Sequence, residues 1–234
     1  EFVTSFAKAS VVKKKEFMNK SIIRVIAALA ISTIIIFACV GNKSIATEEP
    51  PHIVFVVGDE EYRSEESMPM LGKILKREMG AKISLAFSID SAGYIDPNRS
   101  DHIEGLGALK TADLMVMFTR FRALPDDQLN MILDYAESGK PMVGFRTTTH
   151  AFMYVDENEK LDSSKIHLYK QWPEDIFGQR WITHHGHFDD GANPLTSITE
   201  LDDKHPILRG FDPFPAYSWL YHVDGGEHKL GGNP

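Results

Sequence analysis

Pro141-Met142-Val143-Gly144-Phe145 is a short apolar run, and Arg146-Thr147-Thr148-Thr149-His150 follows it with five polar residues. The pairing reads as a strand emptying into a polar turn, and the chain before it repeats the pattern. Pro125 to Ser138 predicts a helix with proline at its start, Leu129, Ile132, Leu133 and Ala136 inward, and Gly139 as its stop. Asp113 to Phe118 predicts the strand before that helix, and Leu106 to Ala112 a short helix before the strand. Further back, Lys82 to Phe87 reads as a strand. Ser67 to Met79 reads as a helix with Met68, Leu71, Ile74, Leu75 and Met79 at helical spacing, ended by Gly80. His52 to Val57 is a continuous apolar run closed by Gly58, as a parallel strand covered on both faces requires. Strands separated by single helices build βαβ units, so the expected fold is α/β with a doubly wound, mainly parallel sheet.

In such sheets ligands bind beyond the carboxyl ends of the strands. Three of those ends are polar here: Gly58-Asp59-Glu60-Glu61-Tyr62-Arg63, Thr119-Arg120-Phe121-Arg122 and Arg146-Thr147-Thr148-Thr149-His150. Their side chains suit hydroxyl or carboxylate partners. The expected substrate contacts are Asp59, Tyr62, Arg120, Arg122, Arg146 and Thr147, and Glu60, Glu61 and His150 are the acid–base candidates. Glu60, Arg120, His150 and His185 are expected to converge on one edge, with His150 facing solvent. A hydroxyl nucleophile from Thr147, Thr148 or Thr149, activated by His150, is an alternative.

Trp181-Ile182-Thr183-His184-His185-Gly186-His187-Phe188-Asp189-Asp190 is the densest cluster of chemistry in the chain. Extended backbone sends His185 and His187 to one face and His184 to the other. With Asp189 they could supply three ligands to a divalent ion such as Zn²⁺, leaving one position for water. Without metal, His185 and His187 remain candidates for acid–base work near neutral pH. In Tyr217 to His222 the aromatic alternation fits either a half-buried strand or a platform for a sugar ring. His205-Pro206-Ile207-Leu208-Arg209-Gly210 reads as a structural turn that buries Ile207 and Leu208.

Residues 52–234 resemble the ThuA-like (trehalose utilisation) family. The likeness rests on Val57 to Pro69, Phe118 to Arg122, Gly144 to Phe152, His184 to His187 and His205 to Gly210, in that order along the chain. The family is a branch of the class I glutamine amidotransferase-like, flavodoxin-like superfamily that lacks the catalytic cysteine. Arg146 stands where that nucleophile would be, so glutaminase chemistry is not carried over. The resemblance implies a role in catabolism of a disaccharide or modified sugar, and further sequence beyond Pro234.

Composition agrees with a globular protein and narrows its partners. The formal charge is −8 over 234 residues, and residues 1–24 carry six basic side chains against two acidic ones, so the remainder is more acidic still. That remainder repels nucleic-acid phosphate. The single cysteine, Cys39, excludes an intramolecular disulfide and a cysteine-rich metal site. Residues 1–17 read as upstream or cloning sequence. Residues 18–46 combine a basic start with the uncharged run Val25–Val40, the pattern of an export signal. Two readings stand, a lipoprotein anchored through Cys39 and simple cleavage near Ala46; 47–51 is linker. The expected function is therefore an exported hydrolase acting on a small glycoside. Its alternatives are a sugar-binding lipoprotein without catalysis and a metal-dependent esterase or phosphatase.

Overall fold

The computed structural model describes residues 49–185, 195–197, 206–210, 212, 214–217 and 220–222. Strand β1 (His52–Gly58) is buried at every position. It lies between two parallel neighbours, β2 (Lys82–Ser88) and β4 (Leu114–Thr119), with Ile53 opposite both Ile83 and Leu114. Outside β4 runs β5 (Met142–Gly144), also parallel, and outside β2 the two-residue β3 (Ile103–Glu104) is antiparallel. The result is an α/β protein with a five-stranded, mostly parallel sheet of order β3-β2-β1-β4-β5.

Side-chain alternation divides the core by face. Ile53, Phe55, Val57, Val116 and Phe118 pack on one side with Met68, Leu71 and Leu75 of helix α1 (Ser64–Met79). That helix lies close because Gly72 faces the sheet, where an added Cβ would be 3.0 Å from Ile83 Cγ2. Val54, Val56, Ala86, Met115 and Met117 pack on the other side, against Leu129, Ile132 and Tyr135 of α2 (Asp126–Glu137) and Leu106 and Leu109 of a 3₁₀ turn, Leu106–Thr111. Burial of each large side chain in these layers is worth roughly 1.5–3 kcal/mol, so the two faces hold the sheet jointly.

Two short helices, α3 (Ile166–Lys170) and α4 (Trp172–Phe177), follow β5. Two small ribbons come last: β6 (Thr183–His185) pairs with β9 (Leu220–His222), and β7 (Leu195–Ser197) with β8 (Pro215–Tyr217).

The expected strands and main helices recur within a few residues, with three physical differences. Helix α1 begins at Ser64 rather than Ser67, because the Ser64 hydroxyl donates to Asp59 O at 3.2 Å and accepts from Asp59 N at 3.1 Å, tying the helix start to the end of β1. Ile74 and Met79 of that helix are exposed, since Gly72 rather than either of them occupies the face nearest the sheet. Ile207 is 77% exposed where burial was expected, being carried outward on a single 3₁₀ turn, Pro206–Leu208. The Val25–Val40 run, Cys39, His187, Asp189 and His205 lie outside the described residues. Among the described residues no helix is long and apolar enough to cross a membrane.

Candidate functional site

The sheet reverses its winding beside β1. The chain leaves β1 through α1 to β2 on one side and then returns past β1 to β4 on the other. The carboxyl ends of β1 and β4 therefore diverge from a common point, where Gly58 is opposite Thr119 and Arg120 N donates to Gly58 O at 2.9 Å. Switch points of this kind are where open α/β sheets bind ligands. Three non-glycine residues adopt left-handed backbone at this edge: Arg63 after β1 (φ 53°), Phe121 after β4 (φ 50°) and Arg146 after β5 (φ 40°). Such conformations persist only where surrounding contacts hold them.

Those contacts are visible. Phe121 N donates to His150 O at 3.1 Å, Arg122 N to Ala151 O at 2.7 Å and Met153 N to Arg122 O at 3.0 Å, so the loops after β4 and β5 are zipped together. Trp181 N donates to Thr149 O at 3.1 Å and brings a later segment to the same place.

Arg122 is 1% exposed and its guanidinium is spent inside the protein. Its Nε donates to Arg120 O at 2.6 Å, one terminal nitrogen donates to Pro97 O (3.0 Å), Arg99 O (2.9 Å) and Ser88 Oγ (3.3 Å), and the other to Glu60 Oε2 at 2.8 Å. Burial pulls the guanidinium pKa below its ordinary value, opposed chiefly by the Glu60 and Asp59 carboxylates. Glu60 gives its other oxygen to Arg120. Held through both oxygens by two guanidiniums, Glu60 is an anchor in this arrangement. Glu61 is the more accessible carboxylate: its side chain is 37% exposed and its Oε2 lies 3.0 Å from Arg120 Nε, as an ion pair without hydrogen-bond alignment.

His150 is 2% exposed, not solvent-facing. Its ring sits 5.0 Å from Phe121, 5.0 Å from Trp181 and 5.6 Å from Tyr221, centroid to centroid. Three aromatic residues from separate parts of the chain close over the turn and bury the ring. Arg146 is stacked in the same way, its guanidinium carbon 4.2 Å from the Tyr62 ring and 4.5 Å from that of Tyr221. It also donates to Tyr62 Oη at 2.9 Å, and Tyr221 Oη lies 3.2 Å from Tyr62 Oη. Burial first, then the Tyr62 hydroxyl, push the Tyr221 phenol well above the ordinary range, so it stays protonated near neutral pH.

Besides Arg122, whose guanidinium is taken up by internal acceptors, two more expected substrate contacts turn inward. Asp59 and Thr147 are both 0% exposed and bond to one another, Thr147 Oγ1 donating to Asp59 Oδ2 at 2.6 Å. The threonine nucleophile fares no better. Thr148 donates to backbone oxygens of Met117 and Phe145 at 2.8 Å, and Thr149 to Arg146 O at 3.1 Å, so the three hydroxyls brace the turn.

Glu60, Glu61, Tyr62, Arg120, Arg146 and His150 are thus brought to one edge. Of the histidine cluster, the backbone of β6 reaches it through β9, with position 184 rather than 185 opposite Tyr221. Among the described residues no group of three or more His, Cys, Asp or Glu is arranged to hold a metal ion. Phe121, Trp181 and Tyr221 were not singled out from the sequence as site residues; only the aromatic alternation around Tyr221 hinted at one of them.

No family model, curated protein or solved structure matches this chain.

The close packing at the end of β1 makes a first prediction. A Cβ on Gly58 would lie 2.9 Å from Ser88 Oγ and 3.1 Å from Arg122 Cδ. Arg122 is pinned by its acceptors and cannot yield. Gly58→Ala is expected to cost about 1–3 kcal/mol, read as a lowered urea midpoint with unchanged slope.

Proposed function

We propose that this chain is an exported ThuA-like protein of carbohydrate catabolism, with a flavodoxin-like, class I glutamine amidotransferase-like fold and hydrolytic activity on a small glycoside. The observation that carries the reading is the aromatic-walled cluster at the carboxyl edge, where His150 lies among Phe121, Trp181 and Tyr221 and Arg146 is stacked between Tyr62 and Tyr221. Aromatic faces pack against the apolar faces of pyranose rings, while guanidinium, phenol and carboxylate groups beside them bond sugar hydroxyls. Support for the finer fold comes from the parallel strands, which run β2-β1-β4-β5 with the reversal beside β1, and from the left-handed backbone of Arg146 at the strand-to-turn position where that superfamily bends sharply.

The chemistry assigned to this site is general acid–base catalysis. Glu61 is the accessible carboxylate, held by Arg120, and His150 is the imidazole assigned to the proton transfer. His185, His187 and Asp189 remain the proposed ligand set for a divalent ion such as Zn²⁺, which would polarise a bound sugar oxygen. A second reading, a sugar-binding lipoprotein anchored through Cys39, draws on one observation. Glu60 is locked by Arg120 and Arg122, which leaves a two-carboxylate glycosidase pair short of one member. Incubation of the purified protein with a panel of glycosides led by trehalose separates the two. Saturable release of reducing sugar is the expected result, and calorimetric binding without turnover would move the assignment to the second reading.

A further inference from the structure

The Tyr62–Arg146 stack has an inner counterpart. Asp59 and Thr147 lie on the same two loops, three residues before Tyr62 and one after Arg146, and join them at full burial. Asp59 Oδ1 accepts from Glu61 N at 2.9 Å and Tyr62 N at 2.6 Å, and Oδ2 accepts from Thr147 Oγ1 at 2.6 Å. A buried carboxylate is costly unless its oxygens are occupied, and here the donors come from exactly two places, the loop bearing Tyr62 and the turn bearing Arg146.

We infer that Asp59, acting through Thr147, is a positioning residue that sets the Tyr62–Arg146–Tyr221 stack in register for its ligand. The inference rests on the carbohydrate-site reading above. The backbone bond to Tyr62 N fixes where that ring leaves its loop. The bond from Thr147 fixes the turn immediately after the strained Arg146, whose left-handed conformation would otherwise relax. Neither Asp59 nor Thr147 touches the ligand. Their effect is to spare binding the cost of ordering two long side chains, a cost of about tenfold in affinity.

Ser64 supplies a matched control. Its hydroxyl is also fully buried and also bonds the Asp59 backbone, at 3.1 and 3.2 Å, but it makes no bond to the Arg146 turn. The experiment compares Thr147→Val, Thr147→Ser and Ser64→Ala with the unaltered chain by urea unfolding, near-ultraviolet circular dichroism of the tyrosine bands, and calorimetric titration with trehalose. A merely structural strut predicts that Thr147→Val and Ser64→Ala lose stability alike and bind trehalose alike. Positioning predicts that Thr147→Val alone weakens trehalose binding about tenfold and flattens the tyrosine signal, and that Thr147→Ser restores both. If Thr147→Val does not fold, Thr147→Ala carries the same comparison. Unaltered chain that fails to bind trehalose counts against the carbohydrate reading, and the tyrosine signal then decides the positioning role alone. A signal unchanged in the Thr147 variants, or one that falls equally in Ser64→Ala, overturns it.

Discussion

His150→Ala is expected to lose both activity and stability. Among Phe121, Trp181 and Tyr221 the imidazole fills space as well as supplying a proton site, so removing it leaves a cavity walled by aromatic rings. Comparable truncations of buried side chains cost about 2–4 kcal/mol, and loss of a general acid or base lowers turnover by roughly 10²–10⁴-fold. Thermal unfolding and glycoside turnover read the two effects. His150→Gln, which keeps much of the volume, should recover stability without recovering turnover. His167 is exposed on α3, and His167→Ala should change stability by less than about 0.5 kcal/mol. Full turnover in a folded His150→Ala protein would remove the chemistry from this edge.

The largest structural effect belongs to Arg122→Met. The thioether approaches the arginine stem in size but none of its functions, and the change strands Glu60 Oε2 together with the backbone oxygens of Arg120, Pro97 and Arg99. Breaking a buried ion pair from one side typically costs about 3–5 kcal/mol, enough to consume much of the stability of a domain this size. Arg122→Lys should rescue little, because one ammonium cannot span acceptors that the planar guanidinium reaches in three directions. Urea unfolding measures both. A midpoint within experimental error of the unaltered chain in Arg122→Met would show that the network contributes nothing net.

Arg120 and Arg122 also show where sequence reasoning stops. Two arginines separated by one residue after an apolar strand invite the same reading, a pair of substrate contacts. They part company because the segment 97–99 passes over Arg122 and offers it two carbonyls, while Arg120 stays at the rim over the Phe121 ring, 4.4 Å away. Nothing local to residues 120–122 specifies that. The strands and helices were legible for the opposite reason: β1 is apolar from Ile53 to Val57 because both its faces are covered, and α2 repeats its buried positions Leu129, Ile132 and Tyr135 at helical spacing. His150 was legible as a residue of interest but not as a buried one, since the rings that enclose it come from positions 121, 181 and 221. Strand β3, two residues long, carries no periodic signal at all.

The all-buried β1 has a kinetic cost. Its residue Ile53 pairs with Ile83, 30 positions later, and with Leu114, 61 positions later. At synthesis rates of about 5–20 residues per second, the buried positions of β1 wait some 3–12 s for their second neighbour to be made. Throughout that interval one edge of this largely apolar strand stays open to any other chain nearby. Yield of this protein in a foreign host is therefore expected to rise with added chaperone and with slower growth at lower temperature.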